Sequence, residues 1–567
     1  MITVARKGAG ALLAVLLCLA GLALPARGAA YPPVKDAGNG LVMTSHALAD
    51  AVGREVLESG GNAVDAAVAV GYALAVVHPA AGNIGGGGFA VIRMADGETV
   101  TCDFREKAPL AATPDMYLDA AGNVIPGAGT LGYKAAAVPG TVAGLSVLSA
   151  RFGTKPLPDL MAPAIRLARE GFAINARQER SMAEFAADFA KFSSTGKYFL
   201  KPDGTAYKEG ERFIQKDLAR TLSLVAEEGP DAFYRGAVAE LIVRDMEANG
   251  GLVSREDLAG YTVAWREPVK GTYRGYEIFS MAPPSSGGTH VIQILNIMEN
   301  ADMGAMGFAS SQTIHLMAEA MRHAYADRSE YMGDPDFVDV PVERLLSKEY
   351  GKAVYEKITA KAGKATPSTD VRPGLPLREG SNTTHYSIVD KWGNAVAVTY
   401  TINESYGSAA AVAGAGFLLN NEMDDFSAKP GAPNIYGLVG SDANRIEAGK
   451  RPLSCMSPTI VVKDGKVFMV VGSPGGSRII TTTLQVISNV IDHGMSISEA
   501  VMAPRVHMQW QPDELRVEKY GLSRDAETAL QGMGYAIEVK KPMGDVNAIH
   551  VGEDGVMYGS GDPRAEF

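Results

Sequence analysis

The stretch that decides the fold is Thr383-Thr-His-Tyr-Ser-Ile-Val-Asp-Lys-Trp-Gly-Asn-Ala-Val-Ala-Val-Thr-Tyr-Thr401. Two alternating strand-like runs flank a turn that contains Gly393, which predicts a β-hairpin with a three-residue loop. If positions 391 to 393 form that loop, Thr383 lies opposite Thr401, with the two side chains about 5 Å apart. A slip of one residue would break this pairing. The stretch therefore predicts two hydroxyl groups that meet at the beginning of a strand.

The segment before the hairpin, residues 361–382, differs in composition. It contains three prolines, several Gly, Ser and Thr residues and few large apolar side chains. This composition predicts an exposed, flexible connection. The segment ends abruptly at the strand-initial Thr383, and such a junction is suitable for proteolytic cleavage.

A second hairpin is predicted where Asp464-Gly465 separates two apolar runs within residues 458–471. Extending its register would bring Ser454 close to Gly475. The adjacent amides of Gly475 and Gly476 can approach a ligand closely, as an oxyanion-binding pair requires. Taken alone, the stretch is more typical of a glycine turn after a strand.

Upstream of both hairpins the periodicity is largely helical, at residues 46–59 and 63–77 and over much of 140–330. The glycine run at residues 82–88 leads into a strand pattern and is not followed by a Lys-Ser/Thr pair. Close backbone packing therefore explains this run better than a phosphate-binding loop does.

A helix predicted over residues 313–329 carries His315, Glu319 and His323, which lie four residues apart on one face. This spacing suggests a metal site, but no Cys/His cluster elsewhere offers an obvious fourth ligand. Histidines on a long helix are usually structural, so we expect no metal.

Composition and charge narrow the class of protein. The 567 residues carry a formal net charge of −11, which argues against nucleic-acid binding because phosphates require a basic surface. Residues 1–30 are typical of a signal peptide, since Arg6 and Lys7 precede an apolar run and small residues that end near Ala30. The apolar run is too short to span a bilayer. We therefore expect a periplasmic or secreted protein without stable membrane insertion.

Five strings are spread over most of the chain: Asp103-Phe-Arg-Glu106, Thr383-Thr-His-Tyr-Ser387, Leu418-Leu-Asn-Asn-Glu-Met-Asp-Asp-Phe426, Arg451-Pro-Leu-Ser454 and Gly472-Ser-Pro-Gly-Gly-Ser477. In this order they resemble the gamma-glutamyltransferases, also called gamma-glutamyltranspeptidases, of the exported bacterial type. The set is highly specific, although no single string would be.

The resemblance implies an α+β fold, the αββα sandwich of N-terminal-nucleophile hydrolases, in which two stacked sheets lie between helical layers. It also implies self-cleavage between Asn382 and Thr383. The products would be a large subunit of residues 31–382 and a small subunit of residues 383–567. The two subunits would remain together as one compact unit with a shared core.

The resemblance also implies roles for the site residues. Thr383 would be the nucleophile, and its own α-amine, with an ordinary pKa near ~8, would act as the base. Thr401 would support Thr383 by hydrogen bonding. A larger set would hold the substrate: Arg105, Ser454 and Cys455 on the α-carboxylate, Asn403, Glu422 and Asp425 on the α-ammonium group, Gly475 and Gly476 as oxyanion amides, and Tyr436 as a lid.

Cys455 departs from the family pattern, which commonly has a second serine there. A thiol donates a weaker hydrogen bond than a hydroxyl, so we expect weaker carboxylate binding. Cys102 lies three residues before Arg105, and a disulfide between Cys102 and Cys455 is a further hypothesis. His385 and Asp424 are expected to be structural.

The function implied by the resemblance is transfer of a γ-glutamyl group from glutathione or a related amide to water or to the amine of an amino acid or peptide. No cofactor would be needed. Two alternatives stay open, namely a cephalosporin or glutaryl acylase of the same fold and a catalytically silent binding protein. Asn403, Glu422, Asp425 and Tyr436 favour the glutamyl substrate, because an acylase need not bind an α-ammonium group.

Overall fold

The computed structural model describes residues 33–371 and 383–566, apart from positions 37, 430, 433, 436 and 439. The expected signal peptide, Asn382 and Tyr436 lie outside the described residues. From Pro33 onward the chain forms one compact unit, as expected.

Two antiparallel sheets form the centre of this unit. The strands are β1 Val34–Asp36, β2 Gly40–Met43, β3 Gly87–Arg93, β4 Thr99–Phe104, β5 Phe172–Ala173, β6 Arg212–Phe213, β7 Ala264–Arg266, β8 Val269–Tyr273, β9 Tyr276–Ser280, β10 Thr384–Asp390, β11 Ala395–Thr401, β12 Thr459–Lys463, β13 Lys466–Val471, β14 Val506–His507, β15 Leu515–Glu518, β16 Ile537–Lys540, β17 Asn547–Val551 and β18 Met557–Gly561. The first sheet has the order β2-β10-β11-β3-β4-β7, and the second sheet has the order β1-β18-β17-β13-β12-β9-β8; the remaining strands form two smaller sheets, β14-β15-β16 and β5-β6.

Helices cover both outer faces of the sheets. They are α1 Ala47–Glu58, α2 Ala63–Val77, α3 Thr141–Phe152, α4 Leu157–Glu170, α5 Ala176–Phe189, α6 Ser193–Phe199, α7 Lys216–Glu228, α8 Asp231–Tyr234, α9 Ala237–Asn249, α10 Arg255–Ala259, α11 Gly287–Met298, α12 Met303–Met306, α13 Ser311–Tyr331, α14 Val342–Leu346, α15 Lys348–Ala360, α16 Ser368–Val371, α17 Ile479–Ile491, α18 Ile497–Met502 and α19 Arg524–Met533. The first two confirm the helices predicted near residues 46–59 and 63–77.

The layers are ordered helix, sheet, sheet, helix. α2 packs on β10 and β11, α3 packs on β4, and α11 and α18 pack on strands of the second sheet. Between the two sheets lies an apolar layer that includes Val91, Val389, Ile460 and Ile549, all of which are buried. The apolar face of each sheet and helix is thus covered by the next layer. This arrangement confirms the predicted αββα sandwich.

The register of the first hairpin is as predicted. Thr384 pairs with Tyr400 and His385 with Thr399, which places Thr383 and Thr401 side by side at the end of the sheet. The loop is closed by Asp390, whose Oδ1 accepts hydrogen bonds from the backbone N–H groups of residues 392 and 394. Gly393 has a φ of 90°, a conformation that favours glycine.

The glycine run before β3 confirms the prediction of close backbone packing. A Cβ atom at Gly86 would lie 2.0 Å from the carbonyl oxygen of Thr401, and one at Gly85 would lie 2.1 Å from that of Leu418. Both distances are shorter than any allowed contact. The run therefore lets the loop pass directly behind the end of β11, where Thr401 lies.

The predicted register of the second hairpin is only partly correct. Val462 pairs with Val467 as expected, but a β-bulge shifts the next pair to Val461 and Met469. A bulge inserts one extra residue and bends the strand, so the register cannot be extended to Ser454. That residue instead forms a parallel bridge with Ser285.

The expected exposed connection is partly confirmed. Positions 361, 362, 364, 367, 369 and 370 are exposed, but Thr366 and Ser368 are buried and their amides bond to Glu319 and Asp513; residues 372–382 lie outside the described residues. The hypothesis of a disulfide is wrong, since Cys102 and Cys455 are free thiols in two different parts of the core.

Candidate active site

Two threonine hydroxyls meet at the end of the first sheet. Thr383 Oγ1 donates a hydrogen bond of 3.3 Å to Thr401 Oγ1, which also accepts one of 2.8 Å from the amide of Asn403. Asn83 Nδ2 donates to the carbonyl oxygen of Thr401 at 2.9 Å, and this bond fixes the strand end from behind. The Thr383 side chain is therefore held in one orientation by a neighbouring residue that is itself fixed.

His385 lies two residues from Thr383 and is fully buried. Its Nδ1 lies 2.8 Å from Thr399 Oγ1 and its Nε2 lies 3.0 Å from Ser387 Oγ. Burial lowers the pKa of this imidazole to about 3, so the ring is neutral. A Cβ atom at Gly472 would lie 2.5 Å from the ring, which shows how tightly the ring fills the gap between the sheets. These contacts support the expected structural role.

Gly475 and Gly476 lie where β13 leads into α17. Gly475 has a φ of 140° and Gly476 has a φ of 57°, so both adopt conformations that side chains disfavour. Gly476 begins the 3₁₀ turn Gly476–Arg478 that continues into α17. Backbone amides at such a terminus point outward and favour negative charge. Gly476 lines the same cleft as Thr383, and its role as an oxyanion donor stays a prediction.

Arg105 follows β4 and is fully buried. Its Nη1 lies 2.7 Å from Glu422 Oε2 and 3.4 Å from Glu106 Oε2, and its Nη2 lies 2.5 Å from Asp425 Oδ2. Its Nε donates to the carbonyl oxygen of Pro452 at 3.2 Å. One guanidinium thus joins three carboxylates that come from two distant segments of the chain.

The charges in this cluster are strongly perturbed by burial. Burial raises the pKa of Glu106 to about 7, although Arg105 opposes the shift. Burial likewise holds the pKa of Glu422 well above its usual range, against the pull of Arg105. Desolvation disfavours a charged carboxylate that lacks full compensation. A cationic ligand group would supply the missing positive charge. A ligand carboxylate would bind the guanidinium of Arg105 in place of the protein's own carboxylates.

Ser454 and Cys455 are held by the loop that begins α11. The carbonyl oxygen of Ser454 accepts from the amide and the hydroxyl of Ser286, at 2.9 and 2.6 Å. Ser454 Oγ accepts from the amide of Met456 at 3.1 Å. Cys455 Sγ lies 4.0 Å from Ser286 Oγ. The two side chains therefore have fixed positions at the wall of the cleft.

Arg328 is a residue of this cleft that sequence reasoning missed. It lies on α13, is 4% exposed, and donates from Nε to Ser286 Oγ at 2.9 Å. Among the described residues no carboxylate forms an ion pair with it. The available signal was a charged residue on the buried face of a predicted helix, which gives no indication of its partner.

The structure brings most of the predicted site residues together. One cleft, with a cavity volume of about 20 Å³, is lined by Arg105, Arg328, Thr383, Thr401, Asn403, Asp425, Ser454, Cys455 and Gly476, among others. Glu422 does not line the cleft but forms an ion pair with Arg105, which does. Gly475 directly precedes Gly476 in the chain. A cavity of about 300 Å³ beside α6 and α7 contains none of these groups, so the chemistry and not the volume identifies the site.

No metal centre accompanies the cleft in the described part of the chain, where His, Cys, Asp and Glu side chains nowhere form a group of three that could hold an ion. His315 Nδ1 lies 2.8 Å from the hydroxyl of Tyr535. Glu319 Oε1 accepts from Arg322 at 3.2 Å. The side chains of His315 and Glu319 thus already form hydrogen bonds with neighbouring residues.

Comparisons with known proteins agree with this geometry. A family model described as Gamma-glutamyltranspeptidase matches residues 49–566. The chain is 52% identical over 536 residues to the glutathione hydrolase proenzyme of Escherichia coli (strain K12), covering 94% of this chain and 92% of that protein.

Two solved structures are also similar. Cephalosporin acylase from Bacillus halodurans has a TM-score of 0.83 and 28% identity, with 96% of each chain covered. Helicobacter pylori gamma-glutamyltranspeptidase has a TM-score of 0.59 and 57% identity, covering 62% of this chain and all of that chain. The chain therefore belongs to the gamma-glutamyltranspeptidase family of N-terminal-nucleophile hydrolases.

Proposed function

We propose that this chain is a γ-glutamyltransferase and glutathione hydrolase whose nucleophile is Thr383, exposed as a new N-terminus by self-cleavage after Asn382. The observation that carries the proposal is the meeting of Thr383 and Thr401 with Arg105, Asp425 and Ser454 in one cleft. A hydroxyl poised for attack thus lies beside groups that suit both charges of an amino acid.

The first step is attack of Thr383 Oγ1 on the γ-carbonyl carbon of the donor. A threonine hydroxyl is a weak nucleophile until a base removes its proton, and the free α-amine of Thr383 takes that role. The amides of Gly475 and Gly476 stabilise the oxyanion. The γ-amide bond then breaks, the amine of the leaving peptide takes the proton, and a γ-glutamyl ester of Thr383 remains.

The ester is resolved by a second nucleophile. Water gives glutamate and completes hydrolysis, whereas the amine of an amino acid or peptide gives a new γ-glutamyl amide. In both cases the attacking group loses a proton to the α-amine of Thr383, and the Thr383 hydroxyl is restored.

Recognition of the glutamyl group follows from the charges of the cleft. The α-carboxylate of the donor takes the guanidinium of Arg105 with help from Ser454 and Cys455, since arginine suits bidentate binding of a carboxylate. The α-ammonium group binds to Asn403, Glu422 and Asp425. The ion pairs that Arg105 makes with Glu422 and Asp425 in the free protein exchange for pairs with the substrate, and Tyr436 is proposed as the lid.

The proposal also includes export and two subunits, of residues 31–382 and 383–567, after removal of residues 1–30. None of the helices in the described part of the chain has the length and apolar character that a membrane crossing needs.

The experiment that tests the mechanism compares Thr383→Ala with Thr384→Ala. Thr384 is the next residue but contacts Ser45, at 3.2 Å, on the other face of the sheet. We expect wild type and Thr384→Ala to give two bands on denaturing electrophoresis, the smaller one beginning at Thr383, and to hydrolyse γ-glutamyl-p-nitroanilide. Thr383→Ala should give one band and no hydrolysis. A Thr383→Ala protein that is cut or active would overturn the proposal.

An acylase of the same fold is the second candidate, because a cephalosporin acylase shares the fold. A glutaryl group lacks the α-ammonium group, so it would leave Glu422 and Asp425 without a cationic partner. Sites built for a polar group reject analogues that lack it by about 10⁴-fold. We expect kcat/KM for glutathione to exceed that for a glutaryl amide by a ratio of this order. A preference for the glutaryl amide would favour the acylase instead.

A further inference from the structure

The two cysteines of the described residues have different surroundings. Cys102 lies in β4 and is fully buried in the apolar core between the first sheet and its helices. Cys455 is 6% exposed and lines the cleft together with Thr383 and Arg105. A reagent small enough to enter the cleft therefore meets Cys455 but not Cys102.

Arg328 is a buried cation close to Cys455, without an ion-pair partner among the described residues. Arg328 lines the same cleft, is 4% exposed and forms no ion pair with a carboxylate of the described chain. Ser286 connects the two residues, because its hydroxyl accepts from Arg328 Nε at 2.9 Å and lies 4.0 Å from Cys455 Sγ. Burial raises the pKa of the Cys455 thiol and Arg328 opposes that shift, so an anion formed at this sulfur would have a fixed cationic partner.

We propose that Cys455 is a site of reversible oxidation by small hydroperoxides, which stops the cleft from binding the α-carboxylate of the donor. This inference rests on the proposed function, because it assigns Cys455 to the carboxylate subsite. The sulfur attacks one oxygen of the peroxide, an S–O bond forms and the O–O bond breaks. The sulfur loses two electrons, and the leaving hydroxide takes the thiol proton to form water. The product is a sulfenic acid.

Oxidation at Cys455 blocks the carboxylate subsite in two ways. Hydrogen peroxide is small enough for the cleft, whose enclosed volume of about 20 Å³ holds one or two water-sized molecules. The added oxygen occupies space and, when ionised, neutralises Arg328. Both effects oppose the binding of a second anion in the same place.

Reduction by a thiol reverses the modification. One thiol condenses with the sulfenic acid to give a mixed disulfide and water. A second thiol then attacks the mixed disulfide, which frees the Cys455 thiol and leaves a disulfide between the two sulfurs of the reductant. Dithiothreitol supplies both thiol groups in one molecule.

The test uses the purified, processed enzyme treated with hydrogen peroxide, with and without later dithiothreitol. KM and kcat for γ-glutamyl-p-nitroanilide are measured for wild type, Cys455→Ser and the matched control Cys102→Ser, each against its own untreated sample. We expect peroxide to raise KM of wild type and Cys102→Ser by about tenfold or more, the effect of losing a charge-assisted hydrogen bond. Dithiothreitol should restore KM, and Cys455→Ser should not respond.

Mass spectrometry after dimedone trapping should locate the sulfenic acid at Cys455 and find none at Cys102. A Cys455→Ser variant that loses activity as wild type does would overturn the proposal, since oxidation of a residue such as Met456 would then be responsible. A loss confined to kcat would overturn it as well. If the untreated enzyme lacks γ-glutamyl hydrolysis, the proposed function fails, whereas dimedone labelling still reports on the thiol separately.

Discussion

The hairpin that carries Thr383 and Thr401 and the cluster around Arg105 meet in one cleft but are built differently. The hairpin is one stretch of contiguous sequence, and the polar groups that it brings to the cleft are two neutral hydroxyls, 3.3 Å apart. The cluster joins residues from distant segments, and its members are a guanidinium and three carboxylates that are removed from water.

This difference separates the reaction from recognition. Neutral hydroxyls in a sheet register lose little on burial once they are hydrogen-bonded, so the hairpin is complete before any ligand arrives. Buried charges pay a large desolvation penalty that their mutual attraction only partly offsets. A substrate that carries both a carboxylate and an ammonium group can therefore exchange its own ion pairs for those within the cluster. Changes in the cluster should alter KM, and changes in the hairpin should alter kcat.

The largest expected effect is that of Arg105→Gln. Among the described residues Arg105 is the one cation that pairs with Glu106, Glu422 and Asp425, and breaking a buried ion pair costs about 3–5 kcal/mol. We expect kcat/KM for a γ-glutamyl donor to fall by about 10³-fold, mainly through KM, in steady-state assays. Arg105→Lys is the matched control, because it keeps the charge but lacks the fork, and it should be impaired less. A fall in kcat at unchanged KM would contradict the division of roles.

A smaller effect is expected for Thr401→Val, which keeps the β-branched shape but removes the hydroxyl. Thr383 then loses its hydrogen-bond partner, and the amide of Asn403 loses its acceptor. Removing one partner of a buried hydrogen bond costs about 1–3 kcal/mol, so kcat should fall by about 10- to 100-fold with KM nearly constant. Thr401→Ser restores the oxygen and should recover most of kcat. If the serine variant were as impaired as the valine variant, shape and not the hydroxyl would be responsible.

The same difference explains what could be predicted from the sequence. The pairing of Thr383 with Thr401 follows from strand periodicity and the position of Gly393, because a hairpin register is a local property. The second hairpin resisted the same reasoning, since the β-bulge after Val461 depends on packing between sheets.

No local rule could have joined Arg105 to Glu422 and Asp425, which are more than 300 positions away. Only resemblance to a family named them, and it did not name Arg328. A buried helical arginine has no sequence pattern that indicates its partner, because its contacts with Ser286 and the cleft arise from the packing of α13 beside the loop that begins α11. Long-range charged clusters are thus the part of such a site that physical reasoning from sequence cannot reach.

The smallest expected effect tests the charge state of the cluster through stability. Burial raises the pKa of Glu106 to about 7, above the value near 4.3 of an unfolded chain. Between about pH 4.5 and 7 the folded protein therefore holds a proton that the unfolded chain has released. Stability falls as pH rises through this window, by at most about 1.4 kcal/mol per pH unit for one group.

Glu106→Gln removes this proton without changing the shape of the side chain, so the thermal midpoint of the variant should fall less than that of wild type between pH 5 and pH 7. Glu256→Gln is the matched control, because that side chain is exposed and water surrounds it in both states. The control should follow wild type. A Glu106→Gln variant whose midpoint falls as steeply as that of wild type would mean that Glu106 is ionised in the folded protein. Arg105 would then balance the negative charge of the buried carboxylates fully. The contrast between a neutral hairpin and a cluster whose negative charge is only partly balanced would not hold.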